Sequence, residues 1–122
     1  MCVFCELQGK RPYVYEDELV FAIRDAFPVS DGHTLILTKR HTPTYFEATE
    51  AERHALSEAI VKIKAHLDAS HHPDGYNIGV NCGEAAGQSV MHLHIHVIPR
   101  YQGDEPDPRG GVRGVIASKK AY

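Results

Sequence analysis

The sequence has few cysteines, no long apolar run and no excess of positive charge, and each shortage excludes a class of protein. Three cysteines are too few, and odd in number, for a disulfide framework. No window of about eighteen apolar residues predicts a transmembrane helix, and Met1–Phe4 leads into charged sequence without the apolar core of a signal peptide. The net charge of −3 offers no basic field to nucleic acid or an anionic membrane. We therefore expect a cytoplasmic protein that binds neither.

Length and composition fit one globular domain. The 122 residues are 43% hydrophobic and 24% charged, the ordinary range for a chain with a buried core. Neither an internal repeat nor an interdomain linker is visible. We predict a single domain over 1–122, with a core at 1–101 and a turn-rich C-terminal arm at 102–122.

The first forty residues predict strands joined by turns. Val14-Tyr15 precedes an acidic turn at 16–18, and the apolar runs Leu19–Ile23 and Thr34–Thr38 have the length of buried strands. The turn at 28–32 between these runs leaves no room for a helical crossover. The two strands are therefore predicted to be antiparallel neighbours.

One long helix is predicted next. Thr49 and Glu52 have the spacing of a capping box, and an apolar stripe recurs at helical spacing in Leu56, Ile60, Ile63 and Leu67. The stripe should pack on the sheet, while His54 and His66 should be surface residues. The helix is predicted to stop before Ser70, ahead of a loop rich in Pro and Gly.

The stretch 91–99 alternates polar and apolar residues, as in a half-buried strand. His92, His94 and His96 should line one face about 6.5–7 Å apart, with Leu93, Ile95 and Val97 turned to the core. Imidazoles so placed can accept protons, bind metals or attack electrophiles near neutral pH. The alternative is a surface strand with a chance polar face.

A loop of small residues, 82–90, leads into this histidine strand. Its glycines and alanines allow a backbone to approach a ligand closely, and Gln88 and Ser89 offer hydrogen-bond donors. The pattern favours an anion cradle, although many such loops are simple hairpin connections. Cys82, within the loop, is interpreted as incidental.

This arrangement suits nucleophilic attack by one imidazole on phosphorus. A neutral imidazole can attack phosphorus when its neighbours orient it and stabilise the charge that develops on the oxygens. His94 has a histidine on each side and is the natural nucleophile. The competing chemistry is a zinc site built from the same three histidines, but it gives the Gly-Gln-Ser loop no role.

The segment Gly87–Ile98 resembles the signature of the histidine triad (HIT) superfamily, which is His-φ-His-φ-His-φ-φ after a Gly-Gln-Ser/Thr-Val loop, with φ apolar. The resemblance runs from Cys2-Val3-Phe4-Cys5 through 32–41 to Pro99-Arg100-Tyr101. It implies an α+β fold, a five-stranded antiparallel sheet with one long helix and shorter helical turns. It also implies a homodimer formed by extending that sheet.

The resemblance also assigns roles to individual residues. It makes His94 the nucleophile on an α-phosphorus, supported by His92 and His96, with Ser89 and Gln88 at phosphate and leaving-group oxygens. Asp25 matches the carboxylate that holds ribose hydroxyls, which is sound chemistry for two neutral donors. The other implied nucleotide contacts are Phe4, Leu7, Ile23, Leu35, Asn81, Gly87 and Val90. Without the family, the four apolar side chains among them would be interpreted as ordinary core.

The N-terminal Cys-x-x-Cys marks a zinc-containing subgroup of this superfamily. The resemblance implies a structural zinc ion held by Cys2, Cys5, His41 and His92. Four such ligands would close a tetrahedral shell and leave no catalytic position open. The alternative is a reduced, metal-free cysteine pair near a frayed terminus.

The resemblance implies a nucleotide hydrolase or transferase that releases AMP through a nucleotidyl-histidine on His94. The substrate would be a dinucleoside polyphosphate or, alternatively, a phosphoramidate. Arg24, beside Asp25, and Arg109 and Arg113, in the arm, are candidates to tune substrate choice or contact a distal phosphate, with solvated surface as the alternative for the arm. The second hypothesis is a non-catalytic nucleotide-binding, zinc-stabilised sensor or interaction protein, although an intact His94 favours the enzyme.

Overall fold

The computed structural model describes residues 2–122. Its five strands form one antiparallel sheet in the order β1-β2-β3-β5-β4. They are β1 (Tyr15–Glu16), β2 (Val20–Arg24), β3 (Thr34–Thr38), β4 (Gly75–Gly79) and β5 (His94–Arg100), and the helices are α1 (Val3–Leu7) and α2 (Glu50–His71). Short 3₁₀ turns cover Tyr45–Glu47, Glu84–Ala86, Gly111–Val115 and Ala117–Lys119. The predicted α+β architecture is confirmed.

Helix α2 packs on one face of the sheet and provides the main core. Its buried apolar residues Leu56, Ala59, Ile63 and Leu67 meet Ile36, Ile95 and Val97 of the central strands. The alternation predicted for β5 is observed, because Ile95 and Val97 are buried against α2 while His94 and His96 face the other side. His54 and His66 are exposed, as predicted.

The opposite face carries a second apolar cluster, Phe21, Ile23, Leu35 and Leu37, which α1 covers with Phe4 and Leu7. In the β3–β5 register, Leu37 pairs with His94 and Leu35 with His96. Paired residues of antiparallel strands project from the same face. The two histidines therefore lie on the α1 side of the sheet.

Several predicted boundaries differ from the structure. β1 includes Glu16, which was assigned to a turn, because the turn forms at Asp17, whose Oδ1 accepts the N–H groups of Leu19 and Val20 at 2.8 Å. β5 begins at His94, so His92 precedes the strand. Helix α2 continues past the predicted stop through His71 and ends on His72 in the left-handed conformation, directly before Pro73.

The turn before β3 brings the chain close to the end of α2. Gly32 has a φ of +90°, and a Cβ at this position would lie 3.0 Å from Leu67 Cδ2 and 3.1 Å from His71 Cδ2. The positive φ favours glycine here, and any larger residue would also displace the Leu67 and His71 side chains slightly. The turn leads directly into His33 and β3.

The capping box predicted at the start of α2 is present and is extended by a third residue. Thr49 and Glu52 exchange side-chain to backbone hydrogen bonds of 2.9 and 3.0 Å. Arg40 donates to both carboxylate oxygens of Glu52, at 2.7 and 3.1 Å. Because Glu52 is only 3% exposed, this group ties the helix start to the segment after β3.

We expect Glu52→Gln to lower the free energy of unfolding by about 1–3 kcal/mol, because the Arg40 guanidinium loses one of its two acceptor oxygens on a buried carboxylate and faces an amide NH2 instead. Urea denaturation followed by circular dichroism at pH 7 measures the change. The matched control is Glu58→Gln, an exposed position on the same helix, which should stay within about 0.5 kcal/mol of the wild type. Equal effects of the two substitutions would contradict the role of Glu52.

The C-terminal arm contains two 3₁₀ turns that contact each other, and the first of them, Gly111–Val115, also contacts β4. Lys120 Nζ donates to the Asp107 carbonyl at 2.8 Å, which closes the arm on itself. Among residues 2–122, no helix is both long and apolar enough to cross a membrane.

Candidate active site and metal centre

A cleft of about 530 Å³ opens on the α1 side of the sheet. It lies between α1, the segment after β2, the loop 87–90 and the histidine face of β5. Ten of the predicted nucleotide-contact residues line it: Phe4, Leu7, Asp25, Leu35, Asn81, Gly87, Ser89, Val90, His94 and His96. The structure thus brings together residues from five separate segments of the chain.

His94 is held in one orientation by its own backbone. Its Nδ1 lies 2.7 Å from the carbonyl oxygen of His92. A carbonyl can only accept, so Nδ1 carries the proton and donates a hydrogen bond to that oxygen. The Nε2 atom of the neutral ring therefore keeps its lone pair. Phe4 packs edge-on against this ring at a centroid distance of 5.0 Å.

His96 receives a hydrogen bond from a fourth histidine, His33. The Val29 N–H donates to His33 Nδ1 at 3.1 Å, so Nε2 carries the proton of neutral His33. That Nε2–H lies 3.0 Å from His96 Nδ1, which must accept. Since His96 Nδ1 accepts this hydrogen bond, the proton of neutral His96 lies on Nε2, which can donate a hydrogen bond into the cleft.

Burial keeps both rings of this pair neutral. Desolvation lowers the pKa of His96 to about 4, with further lowering by His94 and His33. Desolvation also lowers the pKa of His33, against the opposing effect of Asp25. Both groups therefore remain neutral hydrogen-bonding partners near pH 7.

The buried state of His96 predicts a measurable pH dependence of stability. Unfolded His96 takes up a proton near its ordinary pKa of 6.5, whereas the folded ring does so at about 4. The free energy of unfolding should therefore fall as the pH is lowered from 6.5 towards 4, since the unfolded chain binds more protons.

Urea denaturation at several pH values measures this slope. His96→Gln should reduce the slope relative to the wild type, because the ionisable group is gone in both states. Identical slopes for the two proteins would show that His96 titrates normally in the folded chain.

Asp25 sits where β2 ends, at the rim of the cleft. Its Oδ1 accepts the Phe27 N–H at 2.8 Å, and its Oδ2 is 3.4 Å from His33 Nε2. These contacts fix the carboxylate while further lone pairs remain for hydroxyl donors.

The structure places Gln88 inside the protein rather than at the cleft. Its amide donates to the carbonyls of Pro43 and Val90, at 2.6 and 3.1 Å, and accepts the Gly83 N–H at 2.8 Å. With 3% exposure, Gln88 spans the loop and the segment after β3. The exposed Ser89 next to it does line the cleft.

Two other predicted site residues also lie away from the cleft surface. Ile23 is 1% exposed, within the apolar cluster beneath α1. The His92 ring is fully buried and faces the two N-terminal cysteines. Its link to the cleft is the backbone carbonyl that orients His94.

Several residues at the site were not predicted from the sequence. Val3, Arg11, Ala26 and Phe27 line the cleft, and His33 reaches His96 across the sheet. The position of His33 immediately before β3 was the available signal, but its direction depends on the turn that precedes it. Arg11 donates to the Arg24 carbonyl at 2.6 Å.

The three arginines considered for substrate choice have other partners. Arg24 Nη1 donates to Thr34 Oγ1 at 2.6 Å, and it points away from Asp25 because successive strand residues alternate faces. Arg109 pairs with Asp107 at 3.0 Å, and Arg113 bonds the Lys119 carbonyl at 2.9 Å. The structure therefore gives no support to a role of Arg24 in substrate choice or to a phosphate contact by Arg109 or Arg113.

The predicted metal ligands Cys2, Cys5, His41 and His92 do converge. Their donor atoms all lie within 4.8 Å of one another. His92 Nδ1 is 3.4 Å from both sulfur atoms, and His41 Nδ1 is 3.5 Å from Cys5 Sγ. The cysteines are free thiols, and desolvation, followed by the adjacent Cys2, raises the pKa of Cys5.

This donor set fits a zinc ion. With bond lengths of about 2.3 Å to sulfur and about 2.0–2.1 Å to nitrogen, a tetrahedral site has a sulfur to nitrogen edge of about 3.6 Å, close to the observed distances. His92 Nε2 donates to the Thr38 carbonyl at 2.7 Å, which leaves the Nδ1 lone pair to the cluster, as in other metal-binding histidines. Without a metal, the Nδ1 lone pair of His92 could accept a hydrogen bond from only one of the two thiols, although both sulfurs lie 3.4 Å from it.

Asp25, His33 and His96 form a second group whose donor atoms lie close together. Their geometry fits a hydrogen-bond relay better than a metal site. His33 Nδ1 already accepts the Val29 N–H, so ligation through Nε2 would require an imidazolate or the loss of that bond.

Comparison with known proteins agrees with this geometry. A family model described as "HIT domain" matches residues 6–103. The Protein hit of Bacillus subtilis is 42% identical over 103 residues, 82% of this chain and 71% of that protein. The Adenylylsulfatase HINT3 of Arabidopsis thaliana is 39% identical over 106 residues, 84% of this chain and 54% of that protein.

Among solved structures, a zinc-bound histidine triad family protein from Mycobacterium smegmatis superposes with a TM-score of 0.77 and 35% identity. The match covers 96% of this chain and 91% of that one. The family model spans most of the chain, and the matched region contains the sheet, α2 and the three triad histidines. The chain therefore belongs to the HIT-domain family.

Proposed function

We propose that this protein hydrolyses an adenine nucleotide derivative at its α-phosphate through a covalent nucleotidyl-histidine on His94. The observation that carries the proposal is the 2.7 Å hydrogen bond from His94 Nδ1 to the His92 carbonyl. It fixes the neutral tautomer whose Nε2 lone pair can attack phosphorus.

The cleft provides a place for each part of the nucleotide. Phe4, Leu7 and Leu35 form an apolar wall for the base. The Asp25 carboxylate has lone pairs for ribose hydroxyls. Ser89, Val90 and Asn81 surround the phosphate position next to His94, where backbone and side-chain donors would hold the non-bridging oxygens.

The reaction follows in two steps. His94 Nε2 forms a bond to the α-phosphorus as the bond from phosphorus to the leaving group breaks, and the leaving group takes the electron pair. His96 Nε2–H donates a hydrogen bond to the oxygens that gain charge. Water then attacks the same phosphorus and loses a proton to the solvent, the nitrogen to phosphorus bond breaks with its electron pair returning to Nε2, and AMP leaves with neutral His94 restored.

In this proposal Gln88 has a structural role inside the protein. Its bonds to Gly83 and Val90 brace the loop 82–90 internally, and its bond to the Pro43 carbonyl holds that loop against the segment after β3. Gln88 therefore positions Ser89 and does not touch substrate. We also propose that Cys2, Cys5, His41 and His92 hold a structural zinc ion, which would supply a rigid cross-link between α1 and the strand ends.

We also propose that the protein forms a homodimer through the edge of its sheet. β4 lies at one edge of the sheet, where a second copy could continue the strand order. Sedimentation velocity of the purified protein tests this point, with a monomer at micromolar concentration as the contrary result.

A substrate panel tests the proposed activity. Diadenosine tetraphosphate, adenosine 5′-phosphoramidate and adenylyl sulfate share the α-phosphate and differ in leaving group. The last is included because of the similarity to a protein named adenylylsulfatase. AMP release from at least one substrate is expected, and the preferred one identifies the leaving group. If the protein binds AMP but releases none from all three, the non-catalytic sensor hypothesis replaces the hydrolase.

A further inference from the structure

Helix α1 joins the cysteine cluster to the candidate nucleotide cleft. Cys2 is its N-cap and Cys5 lies in its middle, while Phe4 and Leu7 of the same helix line the cleft. The helix has five residues, none of them fully buried, and its N-cap makes no side-chain hydrogen bond. So short a helix has little stability of its own, and its position depends on what the cysteines bind.

His92 provides a second connection between the two sites. Its ring Nδ1 faces Cys2 and Cys5 at 3.4 Å, and its backbone carbonyl accepts the hydrogen bond that orients His94. A change at the sulfurs therefore reaches the nucleophile through one residue. One connection runs through α1, and the other runs through His92, which precedes β5.

Cys2 and Cys5 are partly exposed and line a cleft at the surface. This cleft, of about 680 Å³, is also lined by His41 and by residues 89–91. Val3, Ser89 and Val90 line both this cleft and the nucleotide cleft. A small reagent such as a peroxide can therefore reach the thiols through this cleft, beside the loop 87–90.

The spacing of the thiols also allows a disulfide. The sulfur atoms of Cys2 and Cys5 lie within 4.8 Å of each other. Residues three apart at the start of a helix have Cα atoms about 5 Å apart, within the range of about 4.4–6.8 Å that a disulfide accepts. A disulfide between Cys2 and Cys5 would remove both sulfur donors from the cluster at once.

We propose that Cys2 and Cys5 form a reversible oxidation site, at which a peroxide converts the thiol pair to a disulfide and thereby weakens nucleotide binding. One thiolate attacks a peroxide oxygen, giving a sulfenic acid and hydroxide, and the second thiolate displaces hydroxide from that sulfur. Two electrons pass from the sulfurs to the peroxide, whose two oxygens leave as water after protonation. Any metal ion held by the pair is released without a change of charge.

The expected consequence is a loss of order in α1 and of the contact between its Phe4 and the nucleotide. Without the cluster, α1 is held by the apolar contacts of Phe4 and Leu7 and by the Gln8 hydrogen bond to the Lys39 carbonyl at 2.8 Å. Loss of the apolar base wall should raise the Kd for AMP about tenfold or more. The inference rests on the proposed function for the choice of AMP as ligand.

The experiment compares zinc-loaded protein before and after treatment with hydrogen peroxide. Three quantities are measured: zinc released to a chromogenic chelator, the mass of the N-terminal tryptic peptide, and the Kd for AMP by calorimetry. We expect zinc release, a peptide lighter by two hydrogen atoms and weaker AMP binding, all reversed by dithiothreitol with added zinc. Cys82→Ser is the matched control and should respond like the wild type, because Cys82 lies outside the cluster.

Two results would overturn the inference. One is a peptide that keeps both thiols under conditions that oxidise a free model dithiol. The other is a complete disulfide with an unchanged Kd for AMP. Catalysis is not among the readouts, so a protein that binds AMP without cleaving any nucleotide would refute the proposed hydrolase and leave this inference standing.

Discussion

His94→Ala should lower kcat/KM for AMP release by about 10³-fold or more, because removing a covalent nucleophile removes the reaction path itself. The substitution leaves the cysteine cluster and α2 untouched, since the His94 ring faces the cleft. The Kd for AMP should change by a factor of a few at most. Initial rates with the preferred substrate, together with calorimetry of AMP, measure both quantities.

The control for this substitution is another histidine to alanine change at an exposed site. His54 lies on the outer surface of α2, and His54→Ala should keep the wild-type rate. The thermal unfolding of both variants should resemble that of the wild type. A His94→Ala protein with more than a tenth of the wild-type rate would show that another group attacks the phosphorus.

The covalent step has its own signature. During turnover the wild type should carry an added nucleotidyl mass, seen by intact-protein mass spectrometry after a neutral or alkaline quench that preserves the phosphorus to nitrogen bond. His94→Ala should never carry it. A wild type that turns over without an adduct would favour direct attack by water, with His94 as a general base.

Local patterns were sufficient to predict much of this fold. The alternation in β5 places His94 and His96 opposite Ile95 and Val97, since strand side chains alternate faces whatever the tertiary context. Thr49 and Glu52 start α2 through bonds between residues three apart. Such features depend on near neighbours in the chain and can be recognised from the sequence.

Other features of the site depend on contacts between distant residues. His33 meets His96 across 63 positions in the chain, and no periodicity indicates that the turn before β3 aims it there. Gln88 belongs to a loop that favours an anion cradle, yet its amide is turned inward because the carbonyl of the distant Pro43 accepts a hydrogen bond from it. The direction of a side chain outside regular structure is set by tertiary partners, which a local pattern does not contain.

The metal cluster illustrates the same limit. The Cys-x-x-Cys spacing indicated a metal or redox role, but it did not identify His41 or His92 as partners; those came with the resemblance to the HIT family. Two of the four ligands lie in a short helix and its cap, one follows β3 and one precedes β5. These segments meet because β3 pairs with β5 and α1 covers them.

Removing zinc should lower the midpoint of thermal unfolding by about 10 °C or more. A ligand present at 1,000 times its Kd, binding only the folded chain, stabilises by about 4 kcal/mol, and each kcal/mol corresponds to several degrees in a domain of this size. The measurement is calorimetry of zinc-loaded protein with and without a strong chelator, with zinc content determined on the same samples. Purified protein without bound zinc, or equal midpoints, would contradict the structural role.

His41→Ala separates the ligand effect from damage to the core. The His41 side chain is exposed, so its loss removes one ligand without opening a cavity. We expect this variant to have a lower midpoint and a much weaker response to chelator than the wild type. His66→Ala, an exposed histidine on α2, is the matched control and should keep the full response.

The structural effect of removing zinc should also be confined to the α1 side of the sheet. The α2 face of the sheet is held by a continuous apolar core that includes Ile36, Ile63 and Val97, and it does not depend on the cysteines. Hydrogen exchange of chelated protein should therefore show faster exchange in α1 and in residues 39–42, with β3 and α2 still protected. Uniform loss of protection would mean that the cluster supports the whole domain, whereas no change in α1 would mean that the apolar contacts of Phe4 and Leu7 suffice to hold it.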